Sequence, residues 1–237
     1  MTKESRNHTP NRDRNPGVFF TVSNPSKLQQ ASRSLVALLS PLCRISDSDE
    51  ESKDVEAKND TSVSDMITAE LNALKAKTHK IWYAGELCRG IGHIVTKKPL
   101  TPSHLIHSFF TNDLPAMPPL FISRILPVDW TCAPNQKSFT AVMLPLIRTS
   151  FKSFSEDVTW KVVFEKHSLT DMTKEALIDA LHDCIEARHE VSIYEPQISI
   201  LIQVTTQVCG VALVKDFDKF EGYNLRKFIL ARSREAN

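Results

Sequence analysis

Arg124 heads the stretch Arg-Ile-Leu-Pro-Val-Asp-Trp-Thr-Cys (124–132). It shares strand parity with Ile122, Leu126 and Val128, so a permanent positive charge lies on a face that a purely structural strand would keep apolar. Lys97-Lys98 closes one β-like run, Lys166-His167 a second and Lys215 a third. Ligands dock at strand ends in open α/β sheets, and cations at several such ends point to a phosphate-reading edge. Singly, each cation is also explained as a snorkelling side chain or one half of an ion pair. Trp130 offers an indole on which a nucleobase can stack; the same residue also reads as a partly buried anchor. On the RNA reading, replacing Arg124 weakens RNA binding and leaves stability nearly unchanged.

Other chemistries find little support. Gly90-Ile91-Gly92 has Val95 where a dinucleotide fingerprint needs its third glycine. His182 and Cys184 lie about 200° apart on a helix, which prevents them from sharing a metal. The carboxylate pairs Glu156/Asp157 and Asp216/Asp218 fall at element boundaries, where solvated turn residues are common. The chain shows none of the spaced signatures of zinc deaminases, zincins or serine hydrolases. Expected, therefore, are no catalytic residues, no metal, no cofactor and no small-molecule substrate.

The 237 residues carry a formal net charge of +1, with 41% hydrophobic and 24% charged residues. Residues 47–60, DSDEESKDVEAKND, hold seven acids and two lysines, or −5, which leaves the rest at +6. A mildly basic body with an acidic insert is compatible with a polyanionic partner. Five cysteines without a Cys-x-x-Cys spacing and no signal peptide point to reduced thiols and an intracellular chain. No apolar run approaches a membrane span, so no membrane contact is expected.

These residues must be positioned by alternating strands and helices. Residues 1–16 read as a flexible arm with four Lys/Arg and two acids. GVFFTV (17–22) reads as a buried strand. A helix follows with Ser26 as its cap and Leu28, Ala31, Leu35, Leu38 and Leu39 on one stripe. The acidic loop, 46–62, precedes a second helix from about Ser64, and IGHIVT (91–96) is a strand. Thr101-Pro102 starts the next helix, with Leu105, Ile106, Phe109 and Phe110 buried. LFISRIL (120–126) is a strand. Phe139, Val142, Met143, Leu146, Ile147 and Phe151 stripe a helix over 136–152 that Pro145 should kink. TWKVVFEK (159–166) alternates, Thr173 caps the best-formed helix, ISILIQVTT (198–206) alternates again, and GVALVKD (210–216) reads as a central strand buried on both faces. YNLRKFIL closes the chain as a short helix.

Taken in order, these segments resemble the THUMP-domain adaptor family of tRNA acetylation. The resemblance is carried by GVFFTV with its helix and acidic loop, VTKKPLTPSHLIHSFF, RILPVDWTC, TWKVVFEKH, HEVSIYEPQISILIQV and CGVALVKDFDKFEGYNLRKF, and it spans about 17–230. It implies an α/β (α+β) fold, a ferredoxin-like domain over 17–98 packed against a THUMP domain over 99–216, and a C-terminal helix and tail over 217–237. It also implies a non-catalytic protein that binds tRNA and presents it to an RNA cytidine acetyltransferase for N4-acetylcytidine formation. The expected location is the nucleus or nucleolus before the cytoplasm. The RNA-binding residues expected on this reading are Arg124, Lys97, Lys98, Lys166, His167, Lys215 and Trp130. Two alternatives compete: a protein-interaction scaffold of the same fold with little RNA affinity, and the RNA-binding half of a thiouridine synthase or methyltransferase system.

Overall fold

A computed structural model describes residues 15–45, 80–112 and 121–235. The acidic loop, the helix expected from Ser64 and most of the N-terminal arm lie outside these residues. The first sheet starts with β1 (Gly17–Val22), whose first four residues are buried. Asn24, not Ser26, caps the turn that follows, its side chain accepting from Ser26 N at 3.1 Å. α1 (Leu28–Leu39) buries Leu28, Ala31, Leu35 and Leu39; Leu38 packs at the rim of that core. After α2 (Leu42–Ile45) come β2 (Ile81–Cys88), β3 (Ile91–Thr96), α3 (Pro102–Thr111) and β4 (Ile122–Val128). The strand order is β2-β3-β1-β4, and every neighbouring pair is antiparallel.

β2 was not expected from the sequence. Its register shifts between Tyr83 and Gly85 and again between Glu86 and Cys88, and such bulges erase the period-two alternation by which a strand is recognised. β4 runs two residues further than expected, through Pro127. A proline removes a ladder donor, but β4 is the edge of its sheet and at Pro127 pairs only with β1, so the sheet tolerates it. Residues 122–128, assigned above to the second unit, therefore belong to the first sheet.

One residue later the chain enters the second sheet. β5 (Trp130–Cys132) pairs with β8 (Cys209–Val214), β8 with β7 (Ile198–Val204), and β7 with β6 (Trp160–Lys166) in parallel. The order β5-β8-β7-β6 puts β8 inside the sheet, as its apolar run implies. Between β5 and β6 lie a helical turn (Gln136–Ser138), a π-helix (Phe139–Met143) and α4 (Leu144–Lys152). The wider π turn carries Pro145 into the first turn of α4, where its missing N–H costs nothing. It also resets the stripe: Phe139, Met143, Ile147 and Phe151 are buried at four-residue intervals. Val142 and Leu146, expected inside, are 44% and 36% exposed. α5 (Lys174–Cys184) begins as expected, with Thr173 Oγ1 accepting from Ala176 N at 3.3 Å.

The second sheet is covered on both faces, which explains why β7 is buried throughout. Ile200, Ile202 and Val211 join Phe139, Ile147 and Leu181 in one core, while Leu201, Ala212 and Val214 join Phe19, Leu126 and Val128 in the other. Gly210 marks the contact between sheets, since a Cβ there would stand 2.8 Å from Val128 and 2.9 Å from Phe19. The chain ends in a turn (Glu221–Tyr223) and α6 (Leu225–Glu235). Phe220, Tyr223 and Phe228 surround Phe110 of α3 at ring separations of 5.5, 5.2 and 5.0 Å, which fastens the C-terminus to the first core. Among the described residues no helix is long and apolar enough to cross a membrane.

Candidate nucleic-acid interface

The seven residues expected to meet RNA are not brought to one edge. Gly17 pairs with Val95 on one side and Val128 on the other, while Arg124 pairs with Thr21. Lys97 and Lys98, following Thr96, thus lie at the Val128 end, and Arg124 lies four residues away along β4, about 13 Å. In the second sheet Lys166 pairs with Val204, whereas Val214, just before Lys215, pairs with Ser199 at the other end of β7. Lys97, Lys98 and Trp130 line one cleft. Lys215 lies outside it, at the Val214 end of the second sheet, while Arg124 and His167 meet at Glu165 with Lys166 closing the same strand.

At the Val128 end a cleft of about 780 Å³ opens between the two sheets, with Trp82, Val95, Lys97, Lys98, Trp130 and Leu213 in its walls. Lys97 and Lys98 are exposed, Trp82 is 41% exposed and Trp130 is half-buried against the second core. Two indoles and two ammonium groups in one cleft can stack bases and neutralise phosphates. α3 starts in the same cleft. Thr101 makes no side-chain cap bond; instead Asp129 Oδ1 accepts from Ser103 N at 2.9 Å. Asp129 thereby supplies the negative charge favoured at a helix N-terminus. Burial raises its pKa, and the hydrogen bonds from Ser103 oppose that rise.

Sequence reasoning missed Trp82 and Asp129. Trp82 was lost with the bulged strand β2, although Ile-Trp-Tyr is dense in strand-forming residues. Asp129 caps a helix that starts 27 residues upstream of it, and spacing carries no signal for such a contact.

Lys215 is exposed outside this cleft, at the Val214 end of the second sheet, among Asp216, Asp218 and Lys219 beside Tyr194. Both acids are engaged: Asp218 pairs with Lys161 at 2.5 Å and Asp216 with His107 at 3.3 Å.

At the opposite end of the first sheet Arg124 already has an anionic partner. Its guanidinium pairs with the Glu165 carboxylate, whose second oxygen lies 3.7 Å from His167 Nε2. That nitrogen is also 3.3 Å from Gln203 Oε1. Arg124 N further donates to Thr21 Oγ1 at 3.1 Å, and Arg124 bridges to Asn224 just before α6. Arg124 and Glu165 thus join the first sheet to the second. The guanidinium expected to contact RNA is therefore also one half of an ion pair. A carboxylate reaches the guanidinium across the joint, which sequence parity cannot reveal. Lys166 remains exposed at the strand end. Among the described residues no group of three or more His, Cys, Asp or Glu is placed to hold a metal ion.

Two layered sheets with helices and a basic aromatic cleft describe a mixed α/β protein, and residues 141–214 match the family model of the THUMP domain, an RNA-binding module. The match runs from the π-helix through β8. Over 111 residues the chain is 23% identical to THUMP domain-containing protein 1 of Bos taurus and 22% identical to those of Mus musculus and Homo sapiens, covering 46% of this chain. The aligned region spans about a third of those relatives, 31% of their length. A crystal structure of PH1313 from Pyrococcus horikoshii is similar over 84% of this chain and 55% of its own, with a TM-score of 0.42 and 12% identity.

Proposed function

We propose that the chain is a non-catalytic tRNA-binding adaptor that presents its RNA to an RNA cytidine acetyltransferase forming N4-acetylcytidine. The observation that carries this reading is the cleft, where Lys97, Lys98, Trp82 and Trp130 converge beside the THUMP domain. The β-α-β-β-α-β order of the first sheet reads as a ferredoxin-like unit, and the cleft lies where that unit meets the second sheet. Unpaired nucleotides stack on the indoles while the lysines neutralise the adjoining phosphates. The site of action on this reading is inside the cell, with the nucleus or nucleolus ahead of the cytoplasm.

The test is tRNA binding titrated against salt. Each lost phosphate contact lowers the slope of log K against log salt by about 0.7 to 0.9, so Lys97→Gln/Lys98→Gln should flatten it by about 1.5. A parent slope near zero removes the RNA reading. Adding the protein to a purified RNA cytidine acetyltransferase and tRNA should raise N4-acetylcytidine yield, and an unchanged yield removes the adaptor role. The scaffold alternative has one feature in its favour: Ile193 and Tyr194, 71% and 93% exposed, in a loop pinned by hydrogen bonds from Ser192 N to Trp160 O and from Thr159 Oγ1 to Glu195 O. Under that alternative their replacement, not that of Lys97 and Lys98, abolishes the gain in acetylation.

A further inference from the structure

α6 presents a basic face that the cleft does not use. At about 100° per residue, Arg226, Lys227, Leu230 and Arg234 fall within an arc of about 100°. The three cations are exposed, and Leu230 is 60% exposed. The other side of the helix buries Leu225 and Phe228 in the first core, so the basic face is held rigidly outward. Among the described residues none of the three cations has a carboxylate within ion-pair distance. Arg232, by contrast, is committed: it donates to Asn112 O at 3.2 Å and lies over the Phe228 ring.

Helix stability accounts for Arg234, in the last turn, but not for the other two cations. Arg226 and Lys227 sit in the first turn, where the macrodipole disfavours cations, and that turn holds no acid. A charge-complementary partner does account for them. The face carries no exposed aromatic ring on which a base could stack, so it can neutralise phosphates but cannot hold splayed nucleotides. Arg226 and Arg234 are separated by about 12 Å along the axis, a row that follows a backbone. The bridge from Arg124 to Asn224 sets the start of α6 at the end of β4 remote from Lys97.

We propose that α6 is a second RNA contact that grips the phosphate backbone of a double-stranded stem without sequence preference, while the cleft takes unpaired nucleotides. This rests on the RNA reading of the cleft. The test compares binding of a short blunt RNA duplex and of single-stranded oligouridylate, each titrated against salt, for the full chain and for R226Q/K227Q/R234Q. The triple variant should lower the duplex slope by roughly 2 to 3 and leave oligouridylate binding unchanged, with an unaltered thermal melt. If the triple variant melts early, the single variants are measured instead, each expected to lower the duplex slope by about 0.9. An unchanged duplex slope overturns the α6 contact and leaves the cleft reading standing. Equal losses on both RNAs also overturn it, because α6 then contributes only diffuse charge. If the full chain binds neither RNA in a salt-dependent way, the cleft reading fails and this inference with it.

Discussion

At the cleft end of the first sheet Lys97 and Lys98 stand exposed beside two tryptophans, whereas at the other end Arg124 is tied to Glu165 and Glu165 approaches His167. Both ends looked alike in the sequence, each a cation closing or opening a strand. The difference teaches that a cation serves a polyanion only where the fold has not already supplied a carboxylate. At the joint, the ion pair and the Gln203 contact hold two sheets in register. In the cleft, the acid that is present, Asp129, is occupied with capping α3.

The contrast is broken most severely by acid. His93 is fully buried between Phe19 and Gly17 with neither ring nitrogen hydrogen-bonded, and burial lowers its pKa from 6.5 to about 4, the nearby Asn15 backbone opposing the shift. The folded state therefore binds fewer protons than the unfolded state between those values. The stability His93 protects is fully present above pH 6.5, falls as the pH drops toward 4, and falls no further below that. The loss should reach about 3 kcal/mol. Urea unfolding measured from pH 7 to 4 should show it, and His93→Leu should flatten the slope. A slope unchanged in the variant would put the acid sensitivity elsewhere.

Gly210→Ala attacks the sheet–sheet contact directly. Its new methyl meets Val128 and Phe19 inside 3.0 Å, and such overpacking costs about 1–3 kcal/mol. Calorimetry should show an earlier melt that affects both ends together; an unchanged melt would mean that the sheets part easily. Trp130→Ala sharpens the comparison from the cleft side. tRNA affinity should drop by about 1–3 kcal/mol if a base stacks there, and an unchanged Kd would make Trp130 an apolar anchor alone.

The smallest effect is expected for Arg124→Ala. It should lower stability by at most about 1 kcal/mol, because the pair is partly exposed and screened. tRNA binding should stay within error of the parent. A large loss of RNA affinity with an unchanged melt would return Arg124 to the binding surface and erase the distinction between the two ends.

Local pattern sufficed for much of the fold. GVFFTV, the stripe of α1, the cap at Thr173 and the continuously apolar β8 were legible because periodicity, capping and burial act over a few residues. The basic and aromatic character of the RNA-facing candidates was legible for the same reason: residue type is written in the chain. Partnership across the molecule was not. That Glu165 neutralises Arg124, that Asp129 caps α3, and that Lys97 and Arg124 occupy opposite ends all depend on strand order and register. Those are settled by the packing of one sheet on the other, a contact between residues up to about two hundred positions apart. The bulges of β2 and the π turn before Pro145 belong to the same class, because each is an irregularity in local period that is stabilised only by the core it completes.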